Sequence, residues 1–156
     1  AVRPQPAVRP QPAVRPQPEV STPADPLAAV RELADRGCLT EALERVAGLL
    51  ATGGANAAGC FLRAAIQIEL GLISEAESSL AKALYLDPEL AMAHITLGHL
   101  LRRRNRIEAG NRHLRYARQC LGALAADAVV AETGGQTAGR LAEDLRLLLE
   151  GAPHGQ

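Results

Sequence analysis

The chain matches itself at an offset of 34 residues, and this internal repetition restricts its fold more than any other feature of the sequence. Windows that start at Pro23, Ala57 and Ala91 carry small or apolar residues in the same columns. A fixed period of this length is typical of helical solenoids, in which each repeat stacks on its neighbour and the assembly usually binds partners. The aligned columns are Gly37, Gly71 and Asn105; Ala42, Ala76 and Gly110; Val46, Leu80 and Leu114; and Leu49, Ala83 and Ala117.

Apolar residues recur at helical spacing within each window, so each repeat is predicted to be a pair of helices. Asp25-Pro26 is typical of a helix start, and Ser74 with Glu77 three residues later resembles a capping box for the second helix of the middle repeat. After the third repeat, Thr137 is predicted to cap an amphipathic helix that runs through Glu150. This helix would cover the apolar end of the stack. The predicted fold class is therefore all-α, a solenoid of three helix pairs plus a C-terminal capping helix.

The predicted organisation has four parts. Residues 1–22 form a proline-rich linker, since residues 1–18 are three copies of Ala-Val-Arg-Pro-Gln-Pro, which disfavour helix and favour an extended spacer. A ligand for a proline-binding domain is the alternative interpretation of this segment. Residues 23–122 hold the repeats, residues 123–150 a loop and the capping helix, and residues 151–156 a tail that is predicted to fray.

Composition excludes several function classes. The formal net charge is zero, which gives no global field for nucleic acid or a membrane surface. No run of about twenty apolar residues is present, so no membrane span is predicted. The three cysteines are an odd number at unrelated spacings, which favours a reduced, cytoplasmic setting.

The small-residue columns resemble the tetratricopeptide repeat. The second window matches best, through Gly71, Ala76, Leu80, Ala83 and Pro88. Helix pairs pack closely only where alanine or glycine lies at the backbone contact, which gives these columns a steric cause. The third window has Gly110 where alanine is usual, and the first has Val30 at the small position of its first helix.

A narrower resemblance concerns residues 83–98, which include Leu84-Tyr85-Leu86-Asp87-Pro88, and residues 135–141, which include Thr137-Ala138-Gly139-Arg140-Leu141. These stretches look like the C-terminal tetratricopeptide-repeat domain of chemotaxis-type protein-glutamate methyltransferases. The resemblance implies a regulatory or docking module of an S-adenosylmethionine-dependent receptor methyltransferase. Its implied partners are a glutamate-rich chemoreceptor cytoplasmic region or the upstream catalytic domain. The alternative is a free-standing tetratricopeptide adaptor unrelated to methylation.

The chain itself carries no catalytic pattern and no glycine-rich nucleotide-binding loop, so S-adenosylmethionine is expected only in the suspected parent protein. Tetratricopeptide folds line their concave groove with the first helix of each repeat. By that analogy the predicted partner-binding residues are Arg31, Phe61, Ile68, His99, Arg102 and Arg103.

Arginines are densest around the end of the third window's first helix, at residues 102–106, and Arg112, Arg115 and Arg118 follow on the next helix. One interpretation is a basic patch that binds an acidic helical partner through bidentate contacts. The other is a solvated helix end, where cations are favoured by the helix dipole. His94 and His99 lie five residues apart, off a common helix face, so no metal site is predicted, and one tyrosine nearby is too few for stacking nucleic-acid bases.

Overall fold

The computed structural model describes residues 25–151. The predicted linker at residues 1–22 and the tail beyond Gly151 lie outside this range. Within it the chain forms seven α-helices and no strand beyond one isolated antiparallel bridge between Val129 and Thr137. The helices are α1 (Pro26–Asp35), α2 (Leu39–Thr52), α3 (Ala57–Glu69), α4 (Ile73–Leu86), α5 (Ala91–Arg103), α6 (Ile107–Gly122) and α7 (Ala138–Glu150).

The helices pack in the order that the repeats predict. α1 packs on α2, α3 on α4 and α5 on α6, and α2 and α4 join each pair to the next. α7 packs on α6 and closes the end of the stack. The prediction of three helix pairs and a C-terminal capping helix is therefore confirmed.

One column of the repeat has a conformational cause. Gly37, Gly71 and Asn105 lie between the two helices of each pair, and all have a positive φ, at 79°, 77° and 62°. The backbone there forms the same two crossed hydrogen bonds three times, as from Leu72 N to Gln67 O and from Gly71 N to Ile68 O. This is the helix-ending motif that needs a left-handed residue, which glycine adopts freely and asparagine tolerates.

Helix starts agree with the sequence in part. Asp25 Oδ1 accepts from Leu27 N at 3.1 Å, and Thr137 Oγ1 accepts from Arg140 N at 3.4 Å, so both predicted caps are confirmed. The capping box at Ser74 is wrong. α4 begins one residue earlier, at Ile73, with no side-chain cap, and the Glu77 carboxylate pairs instead with Arg104 at the end of α5.

The third repeat packs most closely. A Cβ added at Gly110 would lie 2.5 Å from the carbonyl oxygen of Gly98, so the backbones of α5 and α6 touch directly. The absence of alanine at this column therefore has a steric reason. In the first repeat Val30 stands in the column that Gly98 occupies in the third. Its larger side chain is fully buried there, in a cluster with Val46 and Ile66.

Candidate functional site

Two adjoining cavities lie along the surface that α1, α3 and α5 form, here called the groove. The first has a volume of about 560 Å³ and lies between α1 and α3. The second, of about 200 Å³, lies between α3 and α5. Ala65 and Glu69 of α3 line the first cavity, and Ile68 of the same helix lines the second. The first cavity is lined by Arg31, Ala34, Asp35, Leu62, Ala65, Ile66, Glu69, Glu132 and Gly134, and the second by Ile68, Ile95, Thr96, His99, Leu100 and Arg103.

A hairpin from the far end of the stack reaches the first cavity. Residues 128–137, here called the hairpin, form the second part of the connection between α6 and α7. Backbone hydrogen bonds from Val130 N to Gln136 O and from Ala138 N to Ala128 O hold it. Thr133 Oγ1 donates to Val130 O at 2.6 Å and accepts from Gln136 N at 2.9 Å. The tip of the hairpin thus brings Glu132 against α1.

Arg31 is the charged centre of the first cavity. Its Nε and Nη2 atoms face the two carboxylate oxygens of Glu132, with Nε to Oε2 at 3.3 Å, and its Nη1 atom lies 2.7 Å from Asp25 Oδ2. The Glu132 hydrogen bond is the main cause that raises the pKa of Arg31. Glu132, which no sequence pattern singled out, is therefore part of the site. The available signal was an acidic residue two positions before the Gly134-Gly135 pair in the connection between α6 and α7.

The arginine run does not form one patch. Arg102 donates from Nη1 to Asn111 Oδ1 at 2.9 Å, and Arg104 pairs with Glu77 at 2.7 Å, with Arg106 3.9 Å from the same carboxylate. Arg103 is exposed, lines the second cavity and has no ion-pair partner among residues 25–151. Intramolecular contacts therefore engage most of the run and leave Arg103 for a ligand.

The predicted site residues lie in three settings. Ile68, His99 and Arg103 meet at the second cavity, and Arg31 lies at the first. Arg102 is half-buried between α5 and α6. Phe61 is only 6% exposed and belongs to the core cluster with Leu80 and Leu97, so it offers almost no surface to a partner.

A pair of histidines, His94 and His113, lies outside the linings of both cavities. His94 Nδ1 is 3.0 Å from His113 Nδ1, and His94 Nε2 lies 2.8 Å from the carbonyl oxygen of Pro88, to which it donates. The ring of Tyr116 packs on His94 with centroids 4.7 Å apart. Among the described residues no group of His, Cys, Asp or Glu is arranged to hold a metal ion. The histidines there serve helix packing.

We predict that the protein loses stability as the pH falls below 6.5. Partial burial, and then Arg102, lowers the pKa of His99 from that ordinary value, and burial, then His94 and Arg112, lowers the pKa of His113. The folded chain therefore binds fewer protons than the unfolded chain in this range, and the free energy of unfolding declines as the pH drops. Melting temperatures at about pH 7.5 and about pH 5.5 test this. The double variant His99→Asn, His113→Asn should lose most of this pH dependence. If its melting temperature fell between the two pH values as much as that of the parent chain, the two histidines would not be the cause.

The repeated helix pairs, the recurrent left-handed turn and the groove define the class of protein. The described part of the chain has the tetratricopeptide-like all-α fold. No family model matches the chain, and no curated protein matches it. None of the described helices is long and apolar enough to cross a bilayer.

Solved structures place the fold among known proteins. The translocator chaperone SycD of the Yersinia enterocolitica type III secretion system aligns with a TM-score of 0.66 at 11% identity, covering 80% of this chain and 84% of SycD. PcrH in complex with the chaperone-binding region of PopB aligns at 0.66 and 16%, covering 78% and 90%. The Sgt2 tetratricopeptide domain of Aspergillus fumigatus aligns at 0.61 and 19%, covering 82% and 79%. At identities of 11–19%, the similarity to these structures establishes the fold alone.

These matches overturn the expected assignment to a chemotaxis-type methyltransferase, because the similar structures are secretion chaperones and tetratricopeptide domains. The two stretches behind that assignment both lie at helix boundaries. Asp87 ends α4 and its Oδ1 accepts from Glu89 N at 3.0 Å, and Thr137 caps α7. Short sequences that stop and start helices recur wherever a chain needs such a boundary, so they carry little information on ancestry.

Proposed function

We propose that this chain is a protein-binding tetratricopeptide module that takes an extended peptide segment along the groove. The observation that carries the proposal is the pair of adjoining cavities on one face, with apolar side chains such as Ile68 and Ile95 in the wall and arginines at the margins. Clefts of this make-up are the usual binding sites of proteins. The proposed function needs no cofactor.

The second cavity, which has Arg103 and no acidic residue in its lining, favours a peptide segment that combines an acidic residue with branched apolar residues. Arg103 borders the second cavity without an ion-pair partner among the described residues, and the guanidinium fork matches a carboxylate. Ile68, Ile95 and Leu100 provide the complementary apolar wall. The structure of PcrH with the chaperone-binding region of PopB supports this mode of action, because a protein of the same fold is there solved with a segment of its partner.

The proposal corresponds to an adaptor unrelated to methylation. Neither a chemoreceptor region nor a methyltransferase domain is retained as a partner, since both rested on the overturned assignment. Within the arginine run at residues 102–106, which was expected to bind such a receptor, only Arg103 is left without an intramolecular partner among the described residues, because Arg102, Arg104 and Arg106 each have one.

The test is selection of peptides from a displayed random library against the full chain, followed by affinity measurements on variants. We expect the selected peptides to combine acidic and branched apolar residues. Arg103→Glu should weaken their binding by about tenfold, the size expected for a charge-assisted hydrogen bond. Arg115→Glu is the matched control, because Arg115 is exposed on α6 and outside both cavities.

Equal loss of affinity in the two arginine variants would mean that only general charge attracts the peptides. Selected peptides that bind both variants as tightly as the parent chain would place their site outside the groove. Either result would refute the proposal.

A further inference from the structure

Glu132 occupies a position in the groove that a ligand carboxylate would also fit. We propose that Arg31 forms a carboxylate-binding subsite which Glu132 fills from within the chain, and that an acidic side chain of the bound peptide replaces Glu132 there. This inference rests on the proposed function and adds to it the chemistry of one position and a competition between the hairpin and the partner.

The geometry of the pair is that of ligand recognition. Nε and Nη2 of Arg31 face the two oxygens of one carboxylate, which is the side-on fork that arginine offers to acidic ligands. Asp25 holds Nη1 from the opposite side at 2.7 Å and keeps the guanidinium in place when the other edge is vacated. The position is accessible, because 32% of the Arg31 side chain remains exposed beside a cavity of about 560 Å³.

The hairpin is constructed so that Glu132 can withdraw. Glu132 has a φ of 68°, a left-handed backbone that is unfavourable for a residue with a side chain. Gly134 and Gly135, with φ of 70° and 100°, follow it, and the hairpin is joined by a single bridge between Val129 and Thr137. The base of the hairpin is anchored separately, by Gly139 N donating to Ala126 O at 2.9 Å. The tip can therefore leave Arg31 while α7 stays on α6.

A purely structural tie is the competing explanation, since the contact joins residues 101 positions apart in the sequence. The two explanations differ in one respect. If the contact is only structural, removal of the Glu132 carboxylate should lower stability and leave the binding of acidic ligands unchanged. Competition makes the same removal favourable for any acidic ligand at Arg31, because the internal carboxylate is present at a high effective concentration.

The probe is a synthetic peptide of residues 127–137, which carries the Glu132 carboxylate in trans, and a second peptide with glutamine at that position. Binding to the full chain is followed by NMR through the Arg31 side-chain Nε–H signal. We expect the glutamate peptide to bind the Glu132→Gln chain about tenfold more tightly than the parent chain, and the glutamine peptide to shift the Arg31 signal in neither. Glu143→Gln is the matched control, because it removes an equal charge from an exposed position on α7 and should behave as the parent.

The proposal is overturned if the two peptides act alike on the Glu132→Gln chain, or if neither shifts the Arg31 signal. A marked fall in the melting temperature of Glu132→Gln without any gain in binding would identify the contact as a structural tie. Because the probe comes from the chain itself, these results are separate from the library selection. Failure of the subsite leaves the Arg103 measurements intact, and failure of the selection leaves the Arg31 signal to decide the subsite.

Discussion

Replacing Gly110 with valine is expected to lower the free energy of unfolding by about 3 kcal/mol, because the new side chain has no space between α5 and α6. Its Cβ would lie 2.5 Å from the Gly98 carbonyl oxygen and 3.1 Å from the backbone nitrogen of Arg102. Both are main-chain atoms, so relief requires the two helices to separate. Separation would loosen the packing of Leu114, which is fully buried at this contact. Urea unfolding followed by circular dichroism gives the measurement.

Gly48→Val is the matched control for this prediction. Gly48 lies inside α2, and a Cβ added there would meet nothing within 4 Å. Valine and glycine differ little in helix propensity, so the control should change stability by less than about 0.5 kcal/mol. If the Gly48 and Gly110 variants unfolded at the same urea concentration, the close approach of α5 and α6 would be refuted.

Replacing Leu145 with aspartate is expected to destabilise the fold by more than about 4 kcal/mol, a large part of the stability of a small domain. Leu145 is 4% exposed and packs from α7 into a cluster with Leu114, Ala117 and Leu121 of α6. The variant loses a buried leucine and places a charge in apolar surroundings, and both changes are unfavourable. A lower melting temperature together with aggregation of the exposed α6 face is the expected readout.

Leu147→Asp is the control that tests whether aspartate at any position of α7 destabilises the chain. Leu147 lies on the same helix but is 55% exposed, so the same substitution should cost about 1 kcal/mol or less. A chain that ends before Thr137 should show the loss of the Leu145 variant. Unchanged melting of the shortened chain would exclude the capping role of α7.

Local rules in the sequence accounted for most of the fold. The column of Gly37, Gly71 and Asn105 predicted the turns between paired helices because each turn needs a left-handed residue. Thr137 predicted the start of α7 for an equally local reason. The capping box predicted at Ser74 was wrong for two reasons. The helix starts one residue earlier without a side-chain cap, and Glu77 pairs with an arginine 27 positions away.

The candidate site was predictable only in outline. Spacing placed Ile68, His99 and Arg103 on first helices of repeats, and they meet at one cavity. Phe61 has the same spacing but turns into the core, since the rotation of α3 against α4 and α5 decides which of its neighbours it contacts. The spacing of residues along one helix does not determine how that helix is rotated against its neighbours.

By itself, the sequence determined the repeat, the helix pairs, the left-handed turns and the need for a capping helix, because each depends on residues within about one repeat of one another. Only the tertiary structure decided that Glu132 meets Arg31, that the arginine run is divided among Asn111 and Glu77, and that Arg103 remains available. The Arg31–Glu132 and Arg104–Glu77 contacts join elements from different repeats, and the Arg102–Asn111 contact joins the two helices of one pair. Their formation depends on how the stacked helices are placed in space, and no local pattern along the chain encodes it.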